Sequence, residues 1–527
     1  MFNTLSWFYP TVVSILVLLA VIQIRGFFHK KAPSPPYETL KRGEKTHIKK
    51  ARNNQKIALK NNEDTTVSLG ITYRNSFTLF FLISLFVALI WVAWSIYATE
   101  NGGLKEFRYF FILIGAFSCG QYVFSIYAVP YRAVHQEPLK PIILVPVYNE
   151  SPHTLQQGIH SFFSQTVLPT EIHVVNDGSN ADIDYTDVES SLLAKGKETG
   201  IYTTWTTQAN AGKRAAQTTG FQLIKEPLDS IIITVDSDGI LADNALAEGL
   251  KPFNDPEVQS VAGLVVSRNI KKNLLSRLTE LIFVAYQQLV DRASMSLFGS
   301  VPVNSGGLAF YRYDVLASSI THGYNQETFG KAEVKFSDDS FLTLFAAFKG
   351  KTVFQPTSVV FADMPTNLNH HLRQQVRWAR GSFIRGFWRI RYAPIRSAIF
   401  WRQVIGWYTF FVVTCILTQL MIHYLLSWTI PPLEFFLIPI VMGYIQSLRY
   451  FLVKRTDLSL WQYVAIWLMT PLATIWSVIV LRIVKLYSIL TCKKTGWGTR
   501  SAIEIPDEVD HDSSWSAPSP IIEESND

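Results

Sequence analysis

Two kinds of hydrophobic pattern alternate along the chain. The first is the long, largely uncharged run: residues 7–24 (WFYPTVVSILVLLAVIQI), Phe77–Ala98, Tyr109–Pro130, Val404–Trp428, Pro432–Val453 and Leu460–Leu490. Each approaches or exceeds the ~20 apolar residues that cross a hydrocarbon core of about 30 Å, so together they predict six membrane segments. The second is the short apolar strand: Ile142–Val147, Glu171–Val175 and Ser230–Val235, each ending in polar residues. Helix-like stretches, His153–Gln165 and one starting at Gly212, separate these strands. Strands alternating with helices across 139–396 predict a parallel α/β sheet, whose ligands sit beyond the carboxyl ends of its strands.

Charge placement orients these segments. The first apolar run is followed by Arg25 instead of being preceded by a basic stretch, which reads as a retained anchor (1–27) and not as a cleaved leader. Residues 25–75 hold twelve Lys or Arg against four Asp or Glu, a local balance of +8 within a whole-chain net charge of +7. Lys and Arg concentrate in cytoplasmic loops, so the basic segment 28–76 is expected inside, against anionic lipid headgroups. Its place between two apolar runs favours lipid over nucleic acid as its partner. The run pair at 77–130 then forms a hairpin that returns the chain to the cytoplasm, where 139–370 makes a catalytic-sized block. On the C-terminal side, Arg449, Lys454 and Arg455 place the loop near 455 inside, and Lys493, Lys494 and Arg500 do the same for the tail. That parity asks Pro471 to split 458–490 into a hairpin or re-entrant pair within a channel region at 404–490, whereas a single long helix there would put the tail outside. The acidic, Ser- and Pro-rich end, 502–527, is expected to be disordered.

Composition agrees with this division. Hydrophobic residues make up 48% and charged residues 17%, with aromatics at 13%. An average soluble domain is about a quarter charged, so a purely soluble enzyme and a disordered chain are both disfavoured. The three cysteines, Cys119, Cys415 and Cys492, are too far apart for a disulfide framework or a CxxC metal knuckle. HExxH, Walker A and GxGxxG patterns are absent as well.

The candidate chemistry gathers at the strand ends. Asn149, Asp177, Asp236 and Asp238 all fall there. A lone Asp at such a place is usually a turn or cap, but several on one sheet edge point to a ligand. Asp236 and Asp238, two residues apart, can bracket one hard cation, and Mg²⁺ or Mn²⁺ often takes one or two carboxylates plus substrate phosphates. Asp338-Asp339 precedes an apolar helix-like run. Ser337 and Asp338 suit an N-cap, whereas two adjacent carboxylates raise one another's pKa and make a general base. Residues 371–396 read as an amphipathic helix in the membrane interface, with Leu372, Val376, Ala379, Phe383, Phe387 and Ile390 as its apolar stripe and Arg373, Arg377 and Arg380 on another face. The indole of Trp378 suits a sugar ring, and the fork of Arg377 suits a diphosphate.

In this order, Asp177, the DxD of Asp236 and Asp238, the pair Asp338-Asp339 and the QxxRW stretch of Gln374, Gln375, Arg377 and Trp378 resemble the processive family 2 glycosyltransferases: hyaluronan, chitin and cellulose synthases and rhizobial chitooligosaccharide synthases. Gly496-Trp497-Gly498-Thr499-Arg500 is similar to the gating-loop motif of hyaluronan synthases, which assigns 491–501 to that loop. The resemblance implies a polytopic α-helical membrane protein with a cytoplasmic α/β glycosyltransferase domain, GT-A-like with a mostly parallel sheet, and amphipathic interface helices in the plasma membrane. It implies a UDP-sugar donor held by Asp177, Lys213, Asp236, Arg377, Trp497 and Arg500, and Mg²⁺ or Mn²⁺ on Asp238. Asp339 is then the base. Trp378, Ser305, Gly306, Gln374 and Gln375 meet the growing polysaccharide. Two departures bear on the sugar: Gly307 replaces the proline of the SGP stretch, and Ser340 stands where hyaluronan synthases usually carry Arg. The resemblance favours UDP-GlcNAc, with or without UDP-GlcA, over UDP-glucose. A transferase that adds one sugar to a lipid phosphate generally lacks QxxRW, and an inactive scaffold would have lost a metal-ligand Asp.

Overall fold

The computed structural model describes residues 2–26, 108–132, 139–227, 229–431, 433–453, 455 and 457–494. The run Phe77–Ala98, the basic segment, and the 495–501 motif with Trp497 and Arg500 lie outside them.

The apolar strands form as the pattern predicts. Strands β1 (Lys140–Val147), β2 (Glu171–Asn176), β3 (Tyr202–Thr207), β4 (Ser230–Thr234), β5 (Ile240–Leu241), β6 (Val258–Ser267) and β7 (Ala309–Arg312) follow in turn. A two-residue hairpin, β8 (Thr328–Phe329) and β9 (Ala332–Glu333), and the long β10 (Lys351–Ala362) complete the set. Eight strands make one sheet in the order β3-β2-β1-β4-β7-β6-β10-β5. The half from β3 to β4 is parallel, with Ile143 opposite Ile172 and Ile142 opposite Ile232. The second half departs from an all-parallel sheet. β7 runs antiparallel to both β4 and β6, while β6 and β10 pair in parallel.

Both sheet faces are covered, which explains why β1, β2 and β4 read as continuous apolar runs. On one face Leu155, Ile159 and Phe162 of the helix Pro152–Phe163 pack on Val145, Val174 and Ile233. On the other, Phe341, Leu344 and Phe345 of the helix Asp338–Lys349 meet Ile142, Ile232 and Tyr311. Ser151 caps the first of these helices through the Thr154 N–H, and Pro152 opens it, where its missing N–H costs nothing.

The apolar runs behave less uniformly than six equal spans. Among the described residues, two helices are long and apolar enough to cross a membrane, Ala398–Ser427 and Thr470–Leu490. The first run lies in a helix, Phe2–Gly26, and the third becomes Arg108–Tyr127. Pro432–Val453 yields a 15-residue helix, Leu433–Ser447, followed by a 3-10 turn. The last run breaks at Met469, where Pro471 opens the next helix, but the outcome is not a hairpin. A nine-residue helix, Leu460–Leu468, buries Tyr463 and Ile466 in the core that β6 and β10 share, and Thr470–Leu490 then runs on without a second turn. Its end lies beside the interface helix Leu368–Tyr392: Arg380 donates to Thr491 Oγ1 at 2.9 Å and to the Lys494 carbonyl at 3.1 Å.

That interface helix also differs from its expected face. Ile390 of the expected stripe is buried and Phe383 and Phe387 pack against the core, but Gly381, Ile384, Arg385, Gly386, Arg389 and Tyr392 are buried as well, so the covered face is rotated from the all-apolar stripe and carries two guanidiniums. Hydrophobicity alone misplaces the stripe because Arg385 and Arg389 find acceptors inside the protein, Glu327 and the Pro302 carbonyl.

Candidate active site

Three charged groups converge at the carboxyl edge of β1, β2 and β4. Lys213 opens the helix Lys213–Gln222 directly after Gly212, whose φ of +95° turns the chain into it. Its ammonium lies 2.5 Å from Asp236 Oδ1, just beyond β4, and 3.1 Å from Asp338 Oδ2. Gly306 faces the same pair. A Cβ there would sit 3.0 Å from Lys213 Nζ and 3.1 Å from Asp236 Oδ2, so any side chain at this position would press on the pair.

The Asp338-Asp339 pair starts its helix, but not through the expected cap. Ser337 adopts φ +56° and makes no side-chain cap bond. The Asp339 carboxylate instead accepts the Ser340 N–H at 2.6 Å. A non-glycine residue in the left-handed region marks a constrained site, which favours the catalytic use of the pair. The environment splits the two acids. Burial works against the charge of Asp338, but Lys213 and Arg214 outweigh it and hold its pKa below the ordinary carboxylate range. Burial and the adjacent Asp338 charge push Asp339 up to about 7, against the pull of Lys213. One acid stays ionised and the other can exchange a proton near neutrality, the condition for a general base. Burial would lower the Lys213 pKa, yet Asp236, Asp338 and Asp339 raise it, so the lysine remains a cation.

Asp177 is buried, and both its oxygens are occupied by the chain itself. Gln208 and the Ala211 N–H donate to one at 2.6 and 3.0 Å, and the Gly212 N–H to the other at 2.8 Å. It therefore fixes the loop that delivers Lys213. Asp238, half-buried, stands two residues beyond Asp236 in the same loop. Among the described residues no three His, Cys, Asp or Glu side chains group to hold a metal. A DxD edge with no third carboxylate fits a cation that takes its remaining oxygens from a diphosphate, and does not fit a resident all-protein metal cage.

In the QxxRW stretch, Trp378 stacks on Phe283 at 5.4 Å between centroids and 29° between planes. Phe283 belongs to a π-helix, Leu281–Arg292, that follows Leu274–Glu280 without a break. Gln374 carries a buried Oε1 without a protein donor, while Gln375 and Arg377 are half-buried on the same helix. Ser305 Oγ accepts from Arg292 at 2.9 Å. The helix of Gln374 and Trp378 packs closely on the start of the Asp-pair helix: a Cβ at Gly381 would fall 1.8 Å from Ser337 Oγ, one residue before the pair.

Three further residues tie these parts together. Glu327 accepts from both terminal nitrogens of Arg385 and from Arg214 Nη2, the latter at 2.8 Å. Arg385 Nε also reaches Ser340 Oγ at 3.2 Å. Arg385 is fully buried, and its guanidinium occupies the neighbourhood of the Asp pair from another element, beside the residue where Arg is usual in the sequences this chain resembles. The one available sequence signal was a basic residue four places after Gly381, within an otherwise apolar run.

Comparison with known proteins adds the family. The sequence model of Glycosyl transferase family 2 matches residues 142–319, and that of Glycosyl transferase family group 2 matches 231–491. A hyaluronan synthase of Streptococcus pyogenes is 32% identical over 370 residues, 69% of this chain and 83% of that protein. An N-acetylglucosaminyltransferase of Bradyrhizobium diazoefficiens is 29% identical over 268 residues, 50% of this chain and 53% of its own. The solved structure of GalNAc-T7 with UDP, GalNAc and Mn²⁺ matches 46% of this chain and 48% of its own at 13% identity, with a TM-score of 0.31, too low to bear on the site. The extent of the hyaluronan synthase match and the two family matches, which span the Lys213–Asp236 pair, the Asp338-Asp339 pair and the helix of Trp378, place the chain in glycosyl transferase family 2, in the branch of hyaluronan synthases and rhizobial N-acetylglucosaminyltransferases.

Proposed function

We propose that the chain is a membrane-embedded, processive, inverting β-glycosyltransferase. It polymerises UDP-activated sugar, UDP-GlcNAc with UDP-GlcA, and passes the polysaccharide across the plasma membrane from a cytoplasmic catalytic domain. The carrying observation is the joint between Gly381 and Ser337, which locks the Trp378 helix to a base, Asp339, placed beside the Lys213–Asp236 pair. A donor site and a site for a long acceptor are thereby held in one rigid geometry. Two kinds of relative, hyaluronan synthase and N-acetylglucosaminyltransferase, favour N-acetylglucosamine over glucose as a transferred sugar.

In this reading Asp339 takes the proton of the acceptor hydroxyl as that oxygen attacks the anomeric carbon. The bond from that carbon to the UDP oxygen breaks, its electron pair leaves with UDP, and the configuration inverts. Lys213 and Arg377 stabilise the charge on the departing diphosphate. Asp238, with Asp236 beside it, would hold a divalent cation, which supplies further neutralisation of that diphosphate. Asp177 acts indirectly, by fixing the loop 208–212 under the donor. Trp378, its far face covered by Phe283, offers one face to the terminal sugar. Trp497 and Arg500 close over the donor, and the two long apolar helices wall the path of the polymer.

The test is UDP release by purified protein offered UDP-GlcNAc, UDP-GlcA and UDP-Glc singly and in pairs, with Mg²⁺, Mn²⁺ or EDTA. The proposal expects metal-dependent release that needs UDP-GlcNAc and rises strongly when UDP-GlcA is added. Release with UDP-Glc alone would instead make it a glucan synthase.

A further inference from the structure

The helices Ala398–Ser427 and Thr470–Leu490 contain no Asp or Glu, yet they carry Arg402, Arg482 and Lys485. These three cations are neighbours. Arg402 donates to Asp291 of the π-helix at 2.7 Å, and Gln121 donates to the same carboxylate at 2.9 Å. Arg482 reaches across to the Phe410 carbonyl at 3.1 Å and Thr414 Oγ1 at 3.0 Å, both neutral. Lys485, one turn on, lies 4.5 Å from the centre of the Phe410 ring. Among the described residues Asp291 is the one carboxylate acting on Lys485, and Arg402 already bridges it. Three cations therefore share one anion between apolar helices, a costly arrangement that marks a substrate path by default.

From the geometry we infer that Arg402, Arg482 and Lys485 form a cationic collar that binds the carboxylates of an acidic polysaccharide as it leaves the acceptor site. This rests on the polymerase reading above and deepens it: the product carries a uronic acid at regular intervals and is not neutral chitin. Two connections place the collar on the polymer's path. Asp291 lies on the π-helix that bears Phe283 beneath Trp378, and the helix of Arg482 and Lys485 ends where Arg380 of the Trp378 helix clamps Thr491. Enclosure favours the polymer over a lipid headgroup: Arg402 and Arg482 bond Asp291, the Phe410 carbonyl and Thr414, all groups of the protein itself. From Arg402 to Phe410 the helical rise of 1.5 Å per residue gives about 12 Å, comparable to one disaccharide, so successive acidic sugars can meet successive cations.

The full chain in phosphatidylcholine vesicles, given UDP-GlcNAc with UDP-GlcA, tests this. Lys485→Gln and Arg482→Gln should each shorten the polymer about three- to tenfold, the loss expected for one charge-assisted contact, while Lys485→Arg keeps its length. A hyaluronan tetrasaccharide should bind the parent protein more tightly than chitotetraose, and Lys485→Gln should erase the difference. Unchanged polymer length in Lys485→Gln would overturn the inference. So would a defect that appears only when phosphatidylglycerol is added to the vesicles, which would make the collar a lipid site. Turnover of UDP-GlcNAc alone, with no uptake of UDP-GlcA, would remove the collar's acidic ligand and leave the transferase reading intact. No UDP release from any donor would remove both.

Discussion

Asp339 and Asp338 differ by one position and by their neighbours, and in the proposed mechanism that difference separates their roles. Lys213 bridges Asp338 and not Asp339, so the proton-exchanging acid is the one without an ammonium against it. Asp339→Asn should lower transfer by about 10²- to 10⁴-fold, the usual worth of a general base, while UDP binding measured by calorimetry persists. A base acts when ionised. Because the Asp339 pKa is pushed up to about 7, the rate should climb with pH up to about 7 and level off above it. Below that value it should fall about tenfold per unit, and a pH–rate profile of UDP release reads the limb directly. A profile flat from pH 5 to 8 would show that the base is another group. At this scale the sequence was informative where chemistry needs rare residue pairs, as in DxD and the Asp pair. It did not reveal that Asp177 spends both oxygens on Gln208, Ala211 and Gly212, because those partners lie more than thirty residues away along the chain.

Between elements, the decisive contacts are made by residues with no catalytic role. Glu327, with Arg214 on one side and Arg385 on the other, joins the Lys213 helix, the Asp pair and the interface helix inside the protein. Burial favours the protonated form of Glu327, but the two guanidiniums outweigh it and keep it ionised. Glu327→Ala would remove the carboxylate that two buried guanidiniums share, at a cost of about 3–5 kcal/mol, read as a large fall in the thermal unfolding midpoint. Gly381→Ala should act differently. The new methyl would drive Ser337 away and move Asp339 with it, so UDP release should fall at least about tenfold with donor affinity retained, since small misplacements near the reacting atoms cost that much or more. Strands β1, β2 and β4 were legible because burial on both faces gives continuous apolar runs. The rotated face of the Leu368–Tyr392 helix was not, because an arginine reads as exposed until its buried partner is known. The π-helix Leu281–Arg292 likewise has no distinctive spacing, and so Phe283 was missed as the partner of Trp378.

For the molecule as a whole, the catalytic sheet and the apolar helices are built as one object. Arg455, next to the C-terminal helices, bonds the buried Glu280 at 3.1 Å and the carbonyl of Ser267 at the end of β6 at 2.7 Å. Ser14 of the N-terminal helix lies 3.4 Å from the Tyr408 hydroxyl of Ala398–Ser427. The six apolar runs pointed to a membrane protein by composition. How they share the work depends on breaks such as Met469 and on long-range packing, neither of which hydropathy contains. The proposed processive synthesis requires one acceptor chain to stay bound through many additions. The size of the product made from radiolabelled UDP-GlcNAc with UDP-GlcA, while each enzyme has released only a few hundred UDP, measures this. Long polymer should be present from the earliest samples, with little material of intermediate size. A population of short products that lengthens uniformly with time, or a single sugar transferred to lipid, would contradict it.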